Sequence, residues 1–120
     1  MIKFKSLNQS KDFQNILREK KINNKYFNIY FDKNFDSSKK KNKVLNISFV
    51  MKKKLGNAVI RNKIKRKLKA AVQKILREKE TIDLNRTYVI FGRNNVYKDK
   101  FQLIYNEIND TFKKINGMKN

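Results

Sequence analysis

The chain has 120 residues, in which 31 Lys and Arg stand against 10 Asp and Glu, for a formal net charge of +21. Nine Phe and five Tyr supply enough apolar surface for one compact core, which distinguishes the chain from a disordered basic tail. The length suits a single domain, residues 1–120. A globular protein with this charge repels itself, so the composition predicts a polyanionic partner.

The residue types that the sequence lacks exclude several kinds of chemistry. It contains no Cys and no His, which removes disulfides, thiolate nucleophiles, Cys/His zinc sites and imidazole acid–base catalysis. No stretch approaches the roughly 20 apolar residues that span a bilayer. Residues 1–5 are not followed by an apolar run, so they do not predict a secretory signal. We expect a cytoplasmic binding protein with no membrane partner, no cofactor and no catalytic residue of its own.

The first half of the chain predicts one helix and two strands. Phe13, Ile16 and Leu17 recur at helical spacing, and two later stretches alternate between apolar and polar residues. The two strands are expected to pair as an antiparallel hairpin across a lysine-rich loop. The predicted ranges are 10–20 for the helix, 26–32 and 44–51 for the strands, and 33–43 for the loop.

The second half predicts two helices around a third strand. Gly56 breaks the chain, and Asn57 can cap a long helix that ends near Glu78. An apolar stripe along this helix consists of Ile60, Ile64, Leu68, Ala71, Val72 and Ile75. A turn, a strand and a final helix follow at 83–85, 86–92 and 98–115, with Gly117 just past the end. The order α-β-β-α-β-α predicts an α+β fold in which helices cover a sheet.

Positive charge is concentrated on the long helix. From Lys52 to Arg77, 11 of 26 residues are Lys or Arg, and the first acid is Glu78. Such a row of cations suits a nucleic acid, because each phosphate that is neutralised releases condensed counterions. A solvated helix face is the alternative, but such a face normally mixes both signs of charge. The cations predicted to lie away from the apolar stripe are Lys63, Lys65, Arg66, Lys67, Lys69, Lys74 and Arg77.

The start of this helix resembles a known signature. Residues Lys53 to Arg66, KKLGNAVIRNKIKR, are similar to the pattern K-K-x-G-x-A-V-x-R-N-R-x-K-R of the bacterial ribonuclease P protein family. The likeness extends in order to the helix at Phe13 and to the strands at 26–31 and 86–92. It implies an α-β sandwich like the second domain of ribosomal protein S5, with a left-handed strand–helix–strand crossover. Pattern reasoning alone would predict the opposite hand.

The resemblance also implies a function. The chain would be the protein subunit of ribonuclease P, a ribonucleoprotein endoribonuclease whose RNA subunit, with Mg²⁺, removes the 5′ leader of precursor tRNA. The basic helix would approach this RNA, and a cleft between the first helix, the sheet and the start of the basic helix would take the single-stranded leader. The implied RNA-binding residues are Lys53, Lys54, Arg61, Asn62, Lys63, Lys65, Arg66 and Lys69. The implied leader-cleft residues are Phe13, Leu17 and Tyr30.

Three residues depart from the family pattern. Lys63 and Lys69 stand where Arg is usual, so they keep the charge but lose the planar, bidentate donor geometry of guanidinium. Leu17 stands where an aromatic residue is often found, which weakens the stacking surface near Phe13.

Other classes of protein share part of this evidence. A small basic ribosomal protein would have the same composition, and only the signature and the cleft aromatics distinguish it. An architectural DNA-binding protein would need a minor-groove arm with apolar wedges, which is missing here. A nuclease acting alone would need clustered carboxylates to hold two metal ions. Instead, Asp12, Asp32 and Asp36 are scattered along the sequence. The acids Glu78, Glu80 and Asp83 lie at a predicted helix end and turn, where solvated acids are common.

Overall fold

The computed structural model describes residues 2–7, 10–33, 44–79 and 81–118, without the side chains of 10–12 and 33. Most of the predicted loop at 33–43 therefore lies outside the described residues. The elements are β1 (Lys3–Lys5), α1 (Ser10–Ile16), β2 (Lys20–Asn23), β3 (Phe27–Lys33), β4 (Val44–Val50), a 3-10 turn (Lys53–Leu55), α2 (Ala58–Glu78), β5 (Arg86–Gly92), α3 (Asn95–Lys98) and α4 (Phe101–Gly117).

The five strands form one sheet in the order β1-β4-β5-β3-β2. β5 pairs in parallel with β4 and antiparallel with β3. The predicted hairpin between the strands now seen as β3 and β4 is wrong, because β5 lies between them. Tyr88, Val89 and Ile90 of β5 are consecutive and fully buried, so both faces of this strand are covered. That environment belongs to a central strand.

Several element boundaries also differ from the prediction. β1 and β2 were not predicted, because their sequences KFK and KKIN are too short and too charged to show an alternating pattern. The first helix stops at Ile16 rather than residue 20, since Lys20 already pairs with Phe31 in the sheet. A short α3 precedes α4, and Gly117 is the last residue of α4 rather than the residue beyond it.

The core lies between one face of the sheet and the helices α2 and α4. The predicted stripe of α2 is buried from Ile64 to Ile75, and Ile60 at its start is partly buried. From α4, Phe112 packs edge-to-face against Tyr88 with 5.1 Å between ring centroids. Side chains alternate along a strand, so Val89 points to the face of the sheet opposite α2 and α4. The helix α1 contacts β3 and β5. Helices against a mixed sheet confirm the α+β class, while the hand of the β4-α2-β5 crossover stays a prediction.

Two residues determine where α2 begins. Gly56 has a φ of 143°, a conformation that L side chains rarely adopt, and a Cβ there would lie 3.0 Å from Ile60 Cδ1. The predicted cap at Asn57 is confirmed, since its Oδ1 accepts a hydrogen bond from the Ile60 backbone N–H at 3.0 Å. This bond satisfies one of the N–H groups that a helix start leaves free.

We expect Asn57→Ala to lower the free energy of unfolding by about 1 kcal/mol, because the helix start loses its side-chain acceptor. Urea denaturation followed by circular dichroism measures this difference. Asn57→Ser is the matched control, since its hydroxyl can also accept the bond, and it should stay within a few tenths of a kcal/mol of the parent. An equal loss in both variants would contradict a capping role.

Candidate nucleic-acid interface

The cations of α2 lie outside the core but form two rows rather than one ridge. Lys63, Lys65 and Arg66 are exposed, as is Asn62. At 100° per residue, positions four apart share a flank, so Lys65 and Lys69 lie on one flank and Lys63 on the other. The cavities agree with this division. Lys65 and Lys69 line one cavity, and Lys63 and Arg66 line another.

Some cations predicted to face outward are engaged within the protein. The Nζ of Lys67 donates hydrogen bonds to the backbone carbonyls of Val96 at 2.9 Å and Asp99 at 2.8 Å, which attaches α3 to α2. Lys74 is half-buried with its Nζ 4.8 Å from the ring centroid of Tyr105. Arg61, an implied RNA-binding residue that was not among the cations predicted to face outward, is also half-buried, and its Nε has no hydrogen-bond partner among the described residues. The contacts of Lys67 and Lys74 involve residues far away in the sequence, so helical spacing could not indicate them.

A cleft of about 400 Å³ opens beside the start of α2. Tyr30 of β3 and Phe91 of β5 meet edge-to-face in it, with 5.6 Å between their centroids. Lys21 Nζ lies 5.6 Å from the Tyr30 ring and Lys52 Nζ lies 5.3 Å from the Phe91 ring. The cleft therefore has an aromatic surface flanked by cations. Its lining consists of Leu17, Asn28, Tyr30, Lys52, Lys54, Leu55, Phe91, Gly92, Arg93 and Asn94.

Gly92 allows α2 to begin at the edge of this cleft. A Cβ at Gly92 would lie 2.6 Å from Met51 Sδ and 2.9 Å from Ile64 Cγ2, closer than side chains pack. Asn28 lies in the same cleft, and its Oδ1 is buried without a hydrogen-bond partner among the described residues. A buried amide oxygen without a partner is uncommon in folded proteins, so within the described part of the chain Asn28 is an unsatisfied polar group beneath the cleft surface.

The structure brings together some of the predicted cleft residues and separates others. Leu17, which is 39% exposed, and Tyr30 both line the cleft, together with Lys54. Phe13 instead lines a neighbouring cavity of about 220 Å³ that also contains Phe4 and the row of Lys65 and Lys69. Lys53 is exposed and lines none of these cavities.

Sequence reasoning did not identify several residues that line the cleft or lie beside it. Asn28 shares the strand face of Tyr30, so its alternation could have indicated it. Phe91 faces Asn28 only through the β3–β5 register, and Lys21 faces Tyr30 only through the β2–β3 register. The alternation of apolar and polar residues does not indicate which strands pair, so neither of these two registers could be predicted. Two further cations line the cleft. Lys52 lies just before the 3-10 turn and Arg93 just after β5, outside the periodic patterns that identify helices and strands.

The segment that follows the cleft is anchored by Asp99. Its Oδ2 accepts a hydrogen bond from the hydroxyl of Tyr26 at 2.6 Å and lies 3.3 Å from Lys25 Nζ. The hydrogen bond to Asp99, with burial, raises the pKa of Tyr26 to about 12. The same bond and the neighbouring lysine lower the pKa of the Asp99 carboxyl. At neutral pH the pair therefore stays a charge-assisted hydrogen bond.

The described residues hold neither a cluster of metal ligands nor a membrane span. Among them, no three Cys, His, Asp or Glu lie close enough together to hold a metal ion. Asp36, Glu80 and the side chain of Asp12 lie outside what is described. In the same part of the chain, no helix is both long and apolar enough to cross a membrane.

An aromatic cleft flanked by cations, next to a helix with cations on two flanks, defines a nucleic-acid-binding α+β protein. A family model described as Ribonuclease P matches residues 1–116. The ribonuclease P protein component of Carboxydothermus hydrogenoformans is 30% identical over 109 residues, which cover 90% of this chain and 88% of that protein. The chain therefore belongs to the ribonuclease P protein family, whose members are the protein component of a ribonucleoprotein endoribonuclease of tRNA maturation.

Solved structures agree with this assignment. The fold is shared with the ribonuclease P protein of Thermotoga maritima, with a TM-score of 0.69, 24% identity, and coverage of 97% of this chain and 99% of that one. The Staphylococcus aureus protein has a TM-score of 0.65 and 26% identity, and covers 96% of this chain and 97% of its own. The resemblance seen in the signature is confirmed, and the ribosomal-protein alternative is set aside.

Proposed function

We propose that this chain works as one domain over residues 1–120, binding the 5′ leader of precursor tRNA in the aromatic cleft and the ribonuclease P RNA along α2. The observation that carries the proposal is the pairing of Tyr30 and Phe91 beside the start of α2, with cations around them. None of the described residues that line the cleft is acidic. A polyanion therefore meets no repelling carboxylate in that lining.

The cleft suits single-stranded RNA rather than a duplex. Unpaired bases can lie on aromatic rings whatever their sequence, which is useful for leaders that vary. Lys52, Lys54 and Arg93 can offset the phosphates that follow the bases into the cleft.

The two rows of α2 suit the RNA subunit. Lys63 and Arg66 on one flank, and Lys65 and Lys69 on the other, can reach phosphates on either side of the helix. Lys at positions 63 and 69 acts as a compact charge, while Arg66 adds bidentate geometry. Arg61, Asn62 and Lys53 complete the proposed contact residues. We assign the Mg²⁺ of the reaction to the RNA, the protein's site of action to the cytoplasm, and no role to DNA or a membrane.

We expect the protein to lower the Mg²⁺ concentration at which a bacterial ribonuclease P RNA cleaves 5′-labelled precursor tRNA, because its cations offset repulsion between the two RNAs. Gel analysis across a Mg²⁺ titration, with and without protein, measures the shift. Protein without the RNA subunit should leave the precursor intact. An unchanged Mg²⁺ requirement, or cleavage by protein freed of RNA, would contradict the proposal.

We expect Arg66→Glu and Lys65→Glu each to weaken binding to the RNA subunit and to reduce the slope of log K against log salt by about one, as the loss of one phosphate contact requires. Filter binding at several salt concentrations measures both quantities. Lys114→Glu, on the exposed side of α4, is the matched control for the change in net charge. If it flattened the slope equally, total charge rather than α2 would determine binding.

We expect Tyr30→Ala to raise the Kd of the reconstituted enzyme for precursor tRNA about 5- to 150-fold, the equivalent of losing one base stack of about 1–3 kcal/mol. Mature tRNA, which has no leader, should bind as before. Tyr30→Phe keeps the ring and should bind the precursor like the parent. Equal losses for precursor and mature tRNA would place Tyr30 outside the leader site.

A further inference from the structure

A second groove, which shares no lining residue with the cleft, lies between α2 and α3. Its volume is about 540 Å³, within the range of ordinary ligand sites. It is lined by Lys63, Arg66, Lys67, Ala70 and Tyr97. Tyr97 is 43% exposed, and the Nζ of Lys63 lies 5.8 Å from the centroid of its ring. The groove thus combines an open aromatic face with cations from α2.

The backbone on both sides of Tyr97 is anchored, although its ring is exposed. Val96 is fully buried in the core, and Lys67 donates to the carbonyls of Val96 and Asp99. Asp99 is in turn held by the Tyr26 hydroxyl. Because the backbone around Tyr97 is already ordered, a ligand that stacks on this ring pays little further cost for ordering the protein.

The chemistry of the groove fits one nucleotide. A nucleobase can stack on the Tyr97 ring without sequence readout. The guanidinium of Arg66 and the ammonium of Lys63 can meet the phosphate, while Ala70, one turn beyond Arg66, contributes only a small side chain to the lining. No acidic residue is among the described residues that line the groove. The occupant should come from the RNA subunit, because Lys63 and Arg66 belong to the surface proposed for that RNA.

We propose that Tyr97 is a stacking platform for one unpaired nucleotide of the ribonuclease P RNA, with Lys63 and Arg66 contacting its phosphate. This inference rests on the function proposed above and adds a base contact outside the signature, in the short helix α3. Lys67 acts here as a positioning residue, since it holds the α3 backbone rather than the nucleotide.

The absence of tryptophan from the chain allows a direct test. Tyr97→Trp introduces a single fluorophore, and we expect the RNA subunit alone to quench its emission, because a stacked base contacts the indole. Leu103→Trp, at an exposed position of α4, should not respond to that RNA. Tyr30→Trp should respond only when precursor tRNA is added to the reconstituted enzyme.

Affinity supplies the second measurement. Tyr97→Ala should weaken binding to the RNA subunit about 5- to 150-fold at fixed salt, as the loss of one stacked base implies. The salt slope should stay unchanged, because no phosphate contact is removed. Tyr97→Phe keeps the ring and should bind within about twofold of the parent.

The possible outcomes separate this inference from the proposed function. Unquenched Tyr97→Trp emission together with parental affinity of Tyr97→Ala would overturn the inference, provided that Arg66→Glu still weakens binding. A loss seen only with precursor tRNA would also overturn it, since the base would then belong to the substrate. If the parent protein failed to bind the RNA subunit at all, the proposed function itself would fall.

Discussion

The packing of α2 against the sheet is the contact on which the rest of the molecule depends. Ile64, Leu68 and Ile75 are fully buried, and Gly92 lets the first of them approach β5 closely. Burial of each such side chain contributes about 1.5–3 kcal/mol, which offsets the repulsion among cations held on one rigid helix. Among the described residues, the cations on the two flanks form no ion pair with an acid. This arrangement keeps them available to phosphate.

Local patterns in the sequence predicted local structure well and long-range structure poorly. The bounds of α2, its cap at Asn57 and the strand at 86–92 follow from spacing and capping chemistry, which act within one turn or one strand. The sheet order does not, because the insertion of β5 between β3 and β4 is decided by contacts that local patterns do not contain. The aromatic pair of Tyr30 and Phe91 depends on that insertion, so the cleft could be predicted only in part.

Lys67 shows why charge alone is an incomplete guide to a binding surface. Lys67 lies within the basic run of α2, and helical projection places it with the other cations. Its ammonium nevertheless donates hydrogen bonds to three backbone carbonyls of the α3 segment. Carbonyls at the end of a helix carry partial negative charge, so a lysine is a suitable partner for them. The same contact holds the backbone beside Tyr97. Lys67 therefore maintains the shape of the groove beside Tyr97, while Lys63 and Arg66 supply the charge of that groove.

The rigid helix α2 connects the cleft to the groove beside Tyr97, and a disordered basic tail could not hold two such sites at a constant distance. α2 has 21 residues, so it extends over about 30 Å at 1.5 Å per residue. The segment just before its start lines the cleft through Lys52 and Lys54, and its second and third turns carry Lys63 and Arg66. A disordered tail would supply similar charge without a constant spacing between these points. With the spacing set by the helix, the proposed RNA along α2 and the proposed strand in the cleft would keep one relative position, which is what a cut at a single phosphodiester requires.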